Sequence, residues 1–85
     1  MSKLIPATER IARARKLIQQ ARDLPVPETG KYDLSYMAGV KDFLRQAREL
    51  VKLIPMRAGI SDELRLEAKQ VIQEVDQADQ EILRG

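Results

Sequence analysis

Carboxylates are the only common general bases in this sequence, because its 85 residues include no histidine and no cysteine. Without cysteine there is no disulfide, no thiolate nucleophile and no zinc–thiolate site. Without histidine there is no imidazole base and no nitrogen ligand for a metal. Most hydrolase and metalloenzyme chemistries are thereby excluded. The sequence predicts a protein that is not an enzyme and that uses no cofactor.

The densest group of carboxylates lies near the C-terminus. Asp76 and Asp79 are three residues apart, with Glu74 and Glu81 nearby. Helical bundles build metal sites from carboxylates that project inward from facing helices. In this segment the inward positions are occupied by an apolar stripe, which leaves the acids on or near the outer face. We therefore predict no metal site here.

A phosphate-binding loop of the GxxxxGK[ST] type is also absent. Gly30 and Lys31 match the end of that motif, but its first glycine is replaced by Pro25. Tyr32 stands where the motif requires serine or threonine. This segment is therefore expected to be a loop between helices and not a nucleotide site.

Apolar periodicity predicts three helices, separated by two clusters of proline and glycine. The helices are expected near residues 7–24, 34–54 and 61–84. Pro6 suits a first-turn position, while Pro25 and Pro55 end or kink the helices that precede them. Loops of about nine and six residues make sequential helices neighbours. We therefore predict an all-α fold, an antiparallel three-helix bundle that forms a single helical domain over residues 1–85.

The third helix carries a heptad seam that is held over nearly three heptads. Its start is marked by Ser61, an N-cap residue that is followed by two acidic residues. The members of the seam are Leu64, Ala68, Val71, Val75, Ala78 and Ile82. Two interpretations remain open: the seam packs inside the bundle, or it forms a coiled coil with another chain.

The net charge of +2 conceals a gradient along the chain. Residues 1–24 hold six basic and two acidic side chains, a net +4, and residues 25–60 hold six and four, a net +2. Residues 61–85 hold three basic and seven acidic side chains, a net −4. A basic edge that faces an acidic edge adds more to register and specificity than to stability.

Three hypotheses compete for the basic face of the first helix. It is a solvated surface that faces the acidic third helix, or it binds nucleic acid phosphates, or it lies on a membrane surface. The residues that would contact nucleic acid are Arg10, Arg13, Lys16 and Arg22. Against that hypothesis stand the nearly balanced total charge and the lack of an aromatic platform among the arginines. A membrane-surface helix is less favoured still, because the apolar face consists of Ile and Ala.

The leading functional hypothesis is a non-catalytic protein-interaction module that forms a homo-oligomer, or binds another helical protein, through the third-helix seam. Folding of so short a chain would remove only roughly 64% of its accessible surface from water. An isolated monomer would therefore have only a small margin of stability. The alternative is a small nucleic-acid-binding protein that uses the basic first helix. No stretch resembles a signal peptide or a membrane span, so a cytoplasmic location and no membrane contact are expected.

Overall fold

The computed structural model describes residues 6–84, and within this range it contains three α-helices and no strand. The helices are α1 (Ala7–Asp23), α2 (Leu34–Val51) and α3 (Asp62–Asp79). Each helix packs against both of the others, so the predicted three-helix bundle is confirmed. Residues 1–5 and Gly85 of the predicted domain lie outside the described residues.

Prolines set both ends of α1. Pro6 occupies the N-cap position, and its carbonyl accepts the first helical hydrogen bond from the Arg10 N–H at 3.0 Å. Leu24 adopts an extended conformation with φ −60° and ψ 128°, because the ring of Pro25 disfavours helical geometry in the residue before it. The helix therefore ends at Asp23, one residue earlier than predicted.

A single carboxylate organises the start of α2. The side chain of Asp33 accepts a hydrogen bond from the Tyr36 N–H at 3.0 Å, which caps the helix. Its second oxygen accepts one from the Thr29 hydroxyl at 2.9 Å. Between them Gly30 has φ +92°, a left-handed conformation that glycine adopts without a steric penalty. The predicted loop is thus tied to the helix that follows it.

The predicted end of the second helix at residue 54 is wrong by three residues. The α-helix ends at Val51, and a 3₁₀ turn follows at Ile54–Met56. The cause is Pro55, whose ring clashes with the carbonyl four residues earlier, which belongs to Val51. Ile54 is nevertheless buried, and Gly59 takes a left-handed conformation with φ +79° in the turn that follows.

The third helix begins where predicted and changes type before its end. Ser61 caps it, since the Ser61 hydroxyl oxygen accepts a hydrogen bond from the Leu64 N–H at 3.2 Å. From Gln80 to Arg84 the chain is a π-helix and not the predicted α-helix. A π-helix bonds five residues apart, so the inward position after Ala78 moves to Leu83, which is buried, and Ile82 becomes only partly buried.

The core consists of small and medium apolar side chains. Five alanines in it have no exposed surface and allow the helix axes to approach closely: Ala14, Ala21, Ala47, Ala68 and Ala78. Among the described residues no polar or charged residue is buried. Any functional group of this part of the chain therefore lies on the surface of the bundle.

Candidate functional site

The edge between α1 and α3 is closed by ion pairs. Arg15 Nη1 lies 2.7 Å from Glu67 Oε1, and its Nη2 lies 3.5 Å from Glu74 Oε2. One end of the edge is held by Arg22, whose Nη1 lies 2.7 Å from Glu81 Oε2. The basic first helix thus faces the acidic third helix at these two arginines, as the solvated-surface hypothesis expects.

The edge between α2 and α3 is crossed by the ion pair of Arg48 and Asp76. Beside it lies a small cleft of about 280 Å³ that includes Lys41 and Asp79. Among the described residues no group of three or more carboxylates is placed to hold a metal ion. The carboxylates singled out in the sequence are thus divided between two edges of the bundle, and Glu74 and Glu81 contact arginines of α1.

Two of these surface carboxylates have a lowered pKa. The pKa of Glu81 lies below its ordinary value because the Arg22 side chain, and then the Gln77 side chain, donate hydrogen bonds to it. The pKa of Asp33 is lowered chiefly by the Tyr36 N–H and then by the Thr29 hydroxyl. Both shifts come from structural contacts that stabilise the ionised form, and neither prepares a general acid or base.

The structure places the third-helix seam inside the bundle. Four of the six predicted partner-binding residues are fully buried or nearly so: Ala68, Val71, Val75 and Ala78. The other two, Leu64 and Ile82, are partly buried against the same core. Of the two interpretations left open by the heptad spacing, intramolecular packing is the one that the structure shows.

The edge between α1 and α2 differs from the other two, since no ion pair among residues 6–84 crosses it. It forms an open groove of about 790 Å³, which we call the α1–α2 groove. Leu17 and Leu50 are partly buried against the core and form its apolar floor. Its rim consists of Arg10, Arg13, Lys16, Gln20, Arg45, Gln46 and Glu49.

Three of the four predicted nucleic-acid contacts line this groove, and the fourth does not. Arg10, Arg13 and Lys16 lie on its α1 side, whereas Arg22 is held by Glu81 at the edge with α3. From α2 the groove gains a further cation, Arg45, which the sequence did not single out. Four cations and the single carboxylate of Glu49 therefore surround the apolar floor.

The cations of the α1–α2 groove differ in their partners. Arg13 bonds to Glu9 at 3.2 Å and Arg45 to Asp42 at 2.7 Å, both within their own helices. Arg10 and Lys16 form no ion pair with any other described residue. The Nε of Arg10 is also shielded from water and lacks a hydrogen-bond acceptor. The groove therefore contains hydrogen-bond donors that have no acceptor among the described residues.

The sequence did not identify Leu17, Leu50 or Arg45 as members of a site. A signal was present, because Arg10, Arg13, Leu17 and Gln20 step by three, four and three along α1, parallel to the buried stripe. That spacing places them on one side of the helix. It does not identify the neighbouring helix that completes the groove.

Comparison of the chain with protein-family models, with curated proteins and with solved structures finds no match. Within residues 6–84 no helix has both the length and the apolar character that crossing a membrane requires.

Proposed function

We propose that this protein is a non-catalytic interaction module, which binds a helix of a partner protein in the α1–α2 groove. One observation carries the proposal. Ion pairs cross two of the three edges of the bundle, whereas none among the described residues crosses the third, where a groove lies above an apolar floor. A helix laid along this edge would bury the exposed parts of Leu17 and Leu50 and complete a four-helix bundle.

The dimensions of the α1–α2 groove suit a short helix. On α1 its lining runs from Arg10 to Gln20, which corresponds to about 15 Å at the α-helical rise, or nearly three turns. Helix-in-groove recognition uses apolar anchors at the same spacing, one per turn. A partner would therefore present two or three apolar side chains to the floor.

The absence of catalysis is part of the proposal and rests on the residue inventory. The sequence has no histidine or cysteine. The carboxylates with a lowered pKa, Asp33 and Glu81, bond to groups that keep them ionised. The α1–α2 groove contains one carboxylate, Glu49, which bonds to Lys52 at 2.8 Å. No nucleophile–base pair is present among these groups.

Homo-oligomer formation through the third-helix seam stays a prediction, and so does the cytoplasmic location. A contact between seams of two copies would require α3 to leave its own bundle, because Ala68, Val71, Val75 and Ala78 are buried. Sedimentation equilibrium at micromolar concentration tests this. A dimer that persists after substitution of groove residues would support the seam, and a monomer of 9.7 kDa would argue against it.

Selection from a displayed peptide library tests the groove. We suggest a library of helical peptides of about 18 residues, long enough for five turns, with two randomised faces. The Gln20→Trp variant fills the groove without removing a core atom. Its matched control is Gln70→Trp, a change at an exposed position on α3.

We expect the library to yield helices that bind the wild type and the Gln70→Trp variant with equal affinity. Their affinity for the Gln20→Trp variant should fall about tenfold or more, because the indole occupies the space of an anchor side chain. No enrichment, or enrichment of binders that tolerate Gln20→Trp, would overturn the proposal.

Nucleic-acid binding is a second candidate, favoured by the convergence of Arg10, Arg13, Lys16 and Arg45 on one groove. The lining has no aromatic side chain on which a base could stack, which weakens this candidate. If these cations contact phosphates, log affinity should fall with log salt with a slope near −0.9 per phosphate neutralised on duplex DNA, or about −0.7 on single strands.

A salt titration on two variants separates the candidates. Replacing Arg13 and Lys16 with Gln should reduce the slope by about one to two units. The matched double variant, Lys69→Gln with Arg84→Gln, carries the same charge change away from the groove. The absence of detectable binding at about 50 mM salt, where screening is weak, would eliminate nucleic acid as the partner.

A further inference from the structure

We propose that the partner of the α1–α2 groove is an acidic amphipathic helix of another protein, with a carboxylate that binds Arg10. This inference rests on the proposed function and specifies the chemistry of the partner. Charge complementarity carries it. Four cations and one carboxylate line a groove whose floor is apolar, and two of these cations, Arg10 and Lys16, have no ion pair among the described residues. The matching helix therefore has a leucine-type stripe flanked by Glu or Asp.

The cations are unevenly placed, and this sets where the partner's acids lie. Arg10, Arg13 and Lys16 follow one side of the groove along α1, whereas α2 contributes Arg45 and the opposing charge of Glu49. The edge of the partner helix that faces α1 is therefore uniformly acidic. A uniformly basic edge there would place like charges together in a partly desolvated site, which is unfavourable.

Among the residues of the groove, Arg10 has the most hydrogen-bond donors without a partner. Its Nε is shielded from water and has no acceptor, and the side chain has no ion pair within the described chain. A buried N–H without an acceptor is unfavourable, whereas a guanidinium binds a carboxylate through two parallel N–H donors. A carboxylate of a partner in the groove supplies an acceptor to this guanidinium. Lysine cannot replace this contact, because it lacks the planar fork.

A second copy of this chain is a poor occupant. Its acidic helix is α3, but the apolar stripe of α3 lies in its own core. The outward stripe of α3 consists of Glu63, Leu66, Gln70, Gln73 and Gln77, all exposed. This stripe offers one apolar anchor and one acid, where the groove requires several of each. The acidic helix of a second copy therefore does not supply the complement, and a different protein does.

Two synthetic peptides test the inference with the full-length protein. Both have about 18 residues and the same leucines at positions i, i+4, i+7 and i+11, and they differ only in flanking glutamates or lysines. Fluorescence anisotropy at about 50 mM salt measures their affinities, since screening between exposed charges is weak there. Thermal unfolding of each variant checks that the bundle is intact.

We expect the acidic peptide to bind at least about tenfold more tightly than the basic one. Lys16→Glu should weaken the acidic peptide about tenfold, while the matched Lys69→Glu, at an exposed position on α3, should leave it unchanged. Arg10→Lys should weaken it about fivefold although charge is kept, and Lys16→Arg should not. A merely structural role of Arg10 would change thermal unfolding and would leave the preference for the acidic peptide unaltered.

Each other outcome overturns the inference. Equal, groove-dependent binding of both peptides would refute the acidic partner and leave the proposed function standing. Absence of binding to either peptide would refute the inference, and the library selection would then decide the proposed function separately. Binding that Lys16→Glu does not weaken, or displacement of the acidic peptide by a second copy of this chain or by single-stranded nucleic acid, would assign the groove to a different occupant.

Discussion

Arg15 and Glu67, which are 52 residues apart in the sequence, join the first and third helices, with Arg15 Nη1 at 2.7 Å from Glu67 Oε1. Both side chains remain more than one-third exposed. The contact thus fixes which faces of α1 and α3 meet, while water weakens its energy. It explains why the basic residues of α1 divide into two groups. Arg15 and Arg22 face α3, and the other cations remain at the groove.

The Arg15–Glu67 pair should contribute little to stability. A double-mutant cycle with Arg15→Gln and Glu67→Gln is expected to give a coupling energy of about 0.2–1 kcal/mol from urea unfolding. The coupling should shrink in 1 M salt, where the screening length falls to about 3 Å. A coupling well above this range that is insensitive to salt would show that the pair is effectively desolvated.

Ile54 should be a main contributor to the core despite its position after α2. It is 1% exposed, whereas its neighbour Leu53 is 57% exposed. Ile54→Ala should lower the free energy of unfolding by about 2–5 kcal/mol, because it removes buried methyl groups and leaves a cavity. Leu53→Ala should change it by no more than about 0.5 kcal/mol. Similar losses in the two variants would contradict the 3₁₀ turn that buries Ile54.

The π-helical segment predicts which of two adjacent residues, Ile82 or Leu83, contributes more to stability. We expect Leu83→Ala to cost about 2 kcal/mol or more and Ile82→Ala to cost clearly less, since Leu83 is the buried one. Urea unfolding of the two variants measures the difference. The reverse order would indicate that α3 continues as an α-helix and keeps Ile82 on the seam.

Alanine substitution at two glycines should change the stability of the protein in opposite directions. Gly59→Ala forces a left-handed residue with a Cβ and should cost about 1–2 kcal/mol, although no atom lies within 4 Å of that Cβ. Gly39 lies within α2, and a Cβ there meets only Leu24 Cδ1 at 3.4 Å. Because this methyl is the end of a flexible side chain, Gly39→Ala should raise stability by up to about 1 kcal/mol. Thermal and urea unfolding of both variants check the two signs.

Asp33 should make stability depend on pH in the acid range. Its pKa is lowered in the folded protein, chiefly by the Tyr36 N–H, so folding favours the ionised carboxylate. The stabilisation is therefore complete above the unfolded pKa of ~3.9 and is lost as pH falls through the native pKa. Asp33→Asn keeps a cap acceptor and removes the titration. Its thermal midpoint should fall less than that of the wild type between about pH 5 and pH 2. Identical pH profiles would contradict this role.

The sequence by itself determined the helices and most of the core. The starts near residues 7, 34 and 61 follow from Pro6, Asp33 and Ser61, which act on their own first turns. The buried stripes follow from the 3.6-residue period, because any side chain on the apolar face must leave water. The end of α2 at Val51 was also within reach, since the clash of Pro55 with a carbonyl four residues earlier is local.

Tertiary structure alone decided which edge of the bundle remains open. The charges predicted that the basic first segment complements the acidic third segment. They did not predict that Arg15 and Arg22 pair with acids of the third segment. Nor did they predict that Arg10, Arg13 and Lys16 lie at the groove instead. That division depends on the rotation of each helix about its axis. The rotation is fixed by the joint packing of all three stripes, including the alanines that set the spacing between axes. Periodicity within one helix cannot specify it, because it records which face is buried and not which neighbour lies beside it.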